Sequence, residues 1–125
     1  MVWGHQILLD VYDLNCNGEF LNHTGYLRLF IKDLLKAVGM KAWGRPKIMR
    51  LTNCADELSG TSIVQLLHTS SLVVHICDKT RTMYLDLFSC SDFHAAQVGA
   101  VIFKYFGGTV SGCRVVDRDA TPKNL

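Results

Sequence analysis

The chain has 125 residues, 49% of them hydrophobic and 19% charged, with a formal net charge of +2. That is enough for one domain with a single sizeable core. The near balance of charge offers nucleic acid no face, because the densest basic group, Lys41, Arg45, Lys47 and Arg50, is sparse. No apolar run is long enough to span a bilayer, and the N-terminus lacks the basic-then-apolar pattern of a signal peptide. The cysteines (16, 54, 77, 90 and 113) are odd in number and contain no CxxC pair. They argue against a disulfide framework or a zinc site, and for a reducing, cytoplasmic compartment.

Residues 3–13 alternate around Ile7-Leu8-Leu9-Asp10-Val11-Tyr12, which predicts a strand. Asn15-Cys16-Asn17-Gly18 reads as a turn. Residues 19–38 read as a helix, because Leu27, Phe30, Ile31, Leu34, Leu35 and Val38 recur at spacings of three and four. Gly39 is placed to end it. Gly44-Arg45-Pro46 opens a strand through about Leu51, and 52–60 reads as a loop. Strands are expected at about 61–68, 71–77 and 82–89, the last two flanking the hairpin connection Asp78-Lys79-Thr80-Arg81. Ser91 is placed to cap a helix from about Asp92 to Tyr105, with Val98, Val101, Ile102 and Tyr105 on its buried face. Gly107-Gly108 stops that helix. A final strand covers about 109–116, and residues 117–125 read as a polar tail.

The order β-α-β-β-β-β-α-β predicts a single α+β domain over 1–125. It would be a two-layer sandwich, with a mostly antiparallel sheet of about six strands and both helices on one face. The other face is left for a partner subunit or a substrate.

Three reactive side chains lie along neighbouring predicted strands: Ser70 and His75 in Ser70-Ser71-Leu72-Val73-Val74-His75, and Cys90 at the end of Leu85-Asp86-Leu87-Phe88-Ser89-Cys90. A tight hairpin would bring these segments together, and the expectation is one small pocket that Ser62 also lines. Taken singly, each residue has an ordinary reading: a strand-end serine, a satisfied core histidine, a small buried thiol. Asp86 within an apolar strand is more unusual, since a buried carboxylate needs a partner. The remaining histidines (5, 23, 68 and 94) show no metal-ligand spacing.

The pattern Gly60-Thr61-Ser62, then Ser70, then Leu72-Val73-Val74-His75, then Leu85-Asp86-Leu87-Phe88-Ser89-Cys90 resembles the small prokaryotic S-adenosylmethionine decarboxylases. Its gaps match that family's without insertion from Gly60 to Cys90. Gly4-His5-Gln6-Ile7-Leu8-Leu9-Asp10-Val11-Tyr12 is similar to the family's opening G-x-H-L-L-x-[DE]-x-Y, with the histidine one place early. These are pyruvoyl enzymes made as proenzymes that cut themselves. The resemblance implies that Ser70 attacks the carbonyl of Thr69, and that the cut leaves a pyruvoyl group on residues 70–125. It implies that Ser62 and His75 assist this processing and that Cys90 protonates the decarboxylated carbon. The pyruvoyl carbonyl would form a Schiff base with the substrate amine and accept the electrons released with CO2. A homodimer or larger assembly is implied too, since family sites form at or near a subunit interface.

The chain departs from the family at several positions. Glu-Ser-His at the cut is Thr69-Ser70-Ser71 here, and Thr-Trp-Pro-Glu after the histidine is Ile76-Cys77-Asp78-Lys79. Lys79 cannot accept hydrogen bonds from ribose hydroxyls as the family glutamate does; the adjacent Asp78 can. The family's adenine-stacking aromatic falls on Asp56. Three functions follow. One is decarboxylation of S-adenosylmethionine for spermidine synthesis. Another is pyruvoyl-dependent decarboxylation of arginine or ornithine, with Asp56 and Asp78 meeting the cationic side chain. The last is an unprocessed, non-catalytic paralogue that binds a partner or ligand. No metal and no nucleic acid enter any of them.

Overall fold

Side chains that alternate in and out build the sheet. In a computed structural model, which describes residues 3–15, 23–52 and 59–121, β1 (Gly4–Leu14) turns Ile7, Leu9 and Val11 inward. β3 (Gly60–Leu67), β4 (Ser70–Cys77) and β5 (Thr82–Ser89) add Ile63, Leu72, Val74, Ile76, Met83, Leu85 and Leu87 to the same core. β2 (Lys47–Leu51) and β6 (Gly107–Arg118) form the edges. The six strands run β2-β3-β4-β5-β1-β6, and every neighbouring pair is antiparallel.

Two helices close one face. Helix α1 (Thr24–Val38) buries Leu27, Phe30, Ile31, Leu34, Leu35 and Val38, the stripe its sequence spacing predicts. It ends at Gly39, whose φ of 71° lets its N–H turn back to the carbonyls of Leu35 and Lys36. Helix α2 (Ala95–Phe106) buries Val98, Ile102 and Phe106, while Val101 and Tyr105 are half-buried. Residues 19–22, expected to start the first helix, lie outside the described residues, as do 16–18 of the expected turn and 53–58 of the expected loop.

Three boundaries differ from the sequence reading. The second helix starts after His94, not Ser91: the Gln97 side chain accepts the His94 N–H at 2.9 Å, closing the first turn. Ser91 instead donates its N–H to Ser89 Oγ at 3.0 Å. β2 begins at Lys47, because Pro46 has no N–H to give a ladder. β6 starts within the glycine pair and runs on to Arg118, pairing Asp117 with His5 and Arg118 with Gly4. Among the described residues no helix is long and apolar enough to cross a membrane.

The helices are pinned to each other by aromatic and polar contacts. Phe30 meets Phe106 edge to face at 4.9 Å. Tyr105 donates its hydroxyl to Asp33, and Tyr26 donates to the Tyr105 carbonyl. The Tyr105 hydrogen bond holds the Asp33 carboxyl below its ordinary value, and Asp33 in turn pushes the Tyr105 phenol up to about 12. Among the described residues nothing comparable covers the opposite face, where Val64, Leu66 and Tyr84 are exposed.

Two outcomes follow from this packing. Gly60 stands so close to β4 that a Cβ would lie 1.9 Å from the Ile76 carbonyl oxygen. Gly60→Ala is expected to lower stability by about 2–4 kcal/mol in denaturant unfolding. Tyr105→Phe is expected to be less stable than wild type at neutral pH. The Asp33 part of that difference fades as pH falls through the carboxylate range, and the Tyr105 part fades as pH rises from about 10 towards 12, measured by thermal melting across pH.

Candidate active site

The β3–β4 hairpin places the first pair of candidate side chains. Ser62 and His75 are direct cross-strand partners, and Ser62 Oγ lies 2.7 Å from His75 Nδ1. Both project from the face that the helices leave open, where His75 is exposed. A hydroxyl bonded to an imidazole can pass a proton in either direction, according to which ring nitrogen holds it.

A second cluster forms around the turn of the same hairpin. Leu67 pairs with Ser70, so His68 and Thr69 make the two-residue turn. Thr69 adopts φ 56°, the left-handed region. Its Oγ1 donates to the His68 carbonyl at 2.6 Å and lies 3.2 Å from Cys90 Sγ. With its only hydrogen already given to His68, Thr69 Oγ1 is left to act as an acceptor towards Cys90. Ser70 Oγ donates to Ser89 Oγ at 3.1 Å, and Ser89 is fully buried. Ser70 lines a cavity of about 200 Å³ with Lys41, His68, Ser89 and Ser91, and a second of about 410 Å³ with Trp43, Leu66 and Thr69.

The expected single pocket is not formed within one chain. Ser62 joins His75, and Ser70 joins the turn near Cys90, but the two clusters stay apart. Ser70 and His75 share strand β4 with five steps between them, which puts them about 16 Å apart. An odd number of steps also turns them to opposite faces of the sheet. A hairpin joins residues that face one another across it and cannot join residues spaced along one strand.

Of the suggested substrate ligands, Asp78 is already engaged. Arg50 grips it with both guanidinium nitrogens, Nη1 reaching Oδ1 at 2.8 Å, and also donates to Thr61 Oγ1 at 3.2 Å. Both side chains are about three-quarters buried, with 25% and 22% exposure, and the Asp78 hydrogen bond raises the Arg50 guanidinium above its ordinary value. Asp56 lies outside the described residues. Asp86 is exposed on the open face and needs no buried partner. The sequence reading gave no role to the Thr69 side chain, to Ser89 or to Arg50. Ser89 had a legible signal, because a β4–β5 hairpin register that pairs Ser71 with Phe88 sets Ser89 beside Ser70.

The sequence profile described as S-adenosylmethionine decarboxylase matches residues 5–119. The chain belongs to the S-adenosylmethionine decarboxylase family. That family's named activity is a carboxy-lyase reaction on a small molecule. The fold agrees: the adenosylmethionine decarboxylase from Aquifex aeolicus superposes with a TM-score of 0.73, covering 99% of this chain and 97% of its own, at 15% identity. Among curated proteins none matches the sequence.

The Arg50–Asp78 pair ties β2 to the β4–β5 connection. Asp78→Asn leaves the guanidinium half-paired and is expected to cost about 1–3 kcal/mol in chemical denaturation, with the Ser62–His75 contact kept.

Proposed function

We propose that this protein is a pyruvoyl-dependent decarboxylase of S-adenosylmethionine, feeding spermidine synthesis, made by self-cleavage between Thr69 and Ser70. The observation that carries the reading is the position of Ser70 in a chain of this family. Ser70 is the first residue after a left-handed turn, its hydroxyl lines a cavity, and a thiol stands beside the turn. These residues fit a pyruvoyl group at position 70. When formed, that group supplies the sink for electrons released with CO2. Ser70 Oγ is the nucleophile towards the Thr69 carbonyl, and Ser89 orients it. Cys90, beside the turn, is the group placed to deliver a proton to carbon.

Two copies make the site in this reading. Ser62 and His75 cannot reach Ser70 of their own chain, so they serve the exposed turn, Thr69 and Cys90, of a second copy packed on the open sheet face. Exposed Met49, Val64, Leu66 and Tyr84 on that face support such packing, since a patch of this kind on a monomer stays in water at a cost. The engagement of Asp78 by Arg50 withdraws that carboxylate from a cationic arginine or ornithine side chain and equally from ribose hydroxyls, so the family match carries the choice of S-adenosylmethionine.

Intact mass is the first test. Wild type is expected as residues 1–69 and 70–125, the second fragment blocked by a ketone that borohydride reduces, and Ser70→Ala as one chain. A wild-type chain that stays whole under native conditions points to the non-catalytic paralogue. Mixing unfolded His75→Ala and Ser70→Ala chains and refolding them together is expected to restore cleavage of the His75→Ala chain alone, and no cleavage in the mixture sinks the two-copy site. Cys90→Ala is expected to cleave yet lose turnover by about 100-fold or more.

A further inference from the structure

Among the described residues with positive φ outside glycine, Asp13, Thr69 and Arg81, only Thr69 is β-branched. A β-branched side chain is poorly tolerated in that region, and turns that need it normally take Gly or Asn. Strain of this kind lasts only where the surroundings over-determine it. Here they do. Residues 41–43 brace the turn from outside: the Trp43 N–H donates to the Leu66 carbonyl at 2.8 Å, the His68 N–H to the Lys41 carbonyl at 3.3 Å, and the Trp43 ring packs on His68 at 5.2 Å. Ala42 adds a bridge to Leu67. The same residue, through its hydroxyl, is the contact of the Cys90 thiol at 3.2 Å.

We propose that Thr69 is a positioning residue with two separable effects: its braced backbone loads the 69–70 peptide for attack, and its hydroxyl holds the Cys90 thiol until that peptide is cut. The proposal rests on the self-cleavage reading above. In the cut, a bond forms between Ser70 Oγ and the Thr69 carbonyl carbon while the bond from that carbon to the Ser70 nitrogen breaks, giving an ester and a free amine. Loss of the Ser70 Cα proton and the Cβ–Oγ bond then releases Thr69 as a carboxylate. One water hydrolyses the remaining enamine to ketone and ammonia. Attack lets the Thr69 backbone leave its strained conformation, so the strain lowers the barrier. Once Thr69 is a chain end, it is no longer held from the Ser70 side and can carry its hydroxyl away from Cys90, which is then released to donate its proton.

Three substitutions separate the effects. Thr69→Gly accepts the positive φ without strain, Thr69→Val keeps the branch without the hydroxyl, and Thr69→Ser keeps the hydroxyl. Cleavage is followed by intact mass on freshly made chains. Alkylation of Cys90 by iodoacetamide is followed across pH by peptide mass, with Ser70→Ala added so that every chain is uncut. Thr69→Gly is expected to cleave about ten-fold more slowly than wild type, and Thr69→Val within about two-fold of it. In the uncut background Thr69→Val is expected to raise the Cys90 alkylation rate by about three-fold or more, while Thr69→Ser leaves it unchanged. Wild-type cleavage speed in Thr69→Gly overturns the backbone effect. Unchanged Cys90 alkylation in Thr69→Val overturns the hydroxyl effect. A wild-type chain that never cuts overturns the cleavage reading and the backbone effect together, and the alkylation rates still decide the hydroxyl effect.

Discussion

The register of the β3–β4 hairpin is the constraint on which the site depends. Leu67 opposite Ser70 sets Ser62 opposite His75, and Gly60 opposite Cys77. A slip of one residue would turn one strand over against the other, taking either Ile63 or Leu72 and Val74 out of the core and parting Ser62 from His75. Two features hold the register. The buried faces of both strands can be satisfied in only one alignment, and the missing side chain of Gly60 admits the Ile76 carbonyl at a distance no other residue allows.

The helices act on the site indirectly. By covering one face completely, α1 and α2 bury the inward half of each central strand and leave the outward half in water. The outward half holds His75 and Ser62, together with more apolar surface than a solitary sheet face needs. The polar clamp of Asp33, Tyr105 and Tyr26 keeps the helices together without using any residue of the site. The packed core is thus built on one face of the sheet, and the Ser62–His75 pair stands on the other.

The departures from the family pattern have physical consequences of different kinds. Asp78, where the family pattern has proline, forms an ion pair with Arg50 that ties an edge strand to the rest of the sheet. Thr69 brings a hydroxyl and a branched side chain to the residue before the serine, so the turn and Cys90 communicate through a single side chain. Ser89, deep in the core-facing row, gives Ser70 a partner that does not itself titrate.

Element order, the antiparallel six-stranded sheet and the buried stripe of α1 could be read from the sequence, because periods of 2 and 3.6 report burial directly. So could the family, from spacings between Gly60 and Cys90 that match its pattern without insertion. Ser62 facing His75 was implicit in those spacings, since a two-residue turn pairs residues placed symmetrically about it. Other features were decided only by tertiary structure. The helix start at His94 hung on a Gln97 side chain folding back, and the capture of Asp78 on an arginine 28 positions away. The left-handed Thr69 needed the brace from residues 41–43. The separation of His75 from Ser70 followed from the rise of an extended strand, which keeps neighbours in sequence apart in space unless a second surface brings them together.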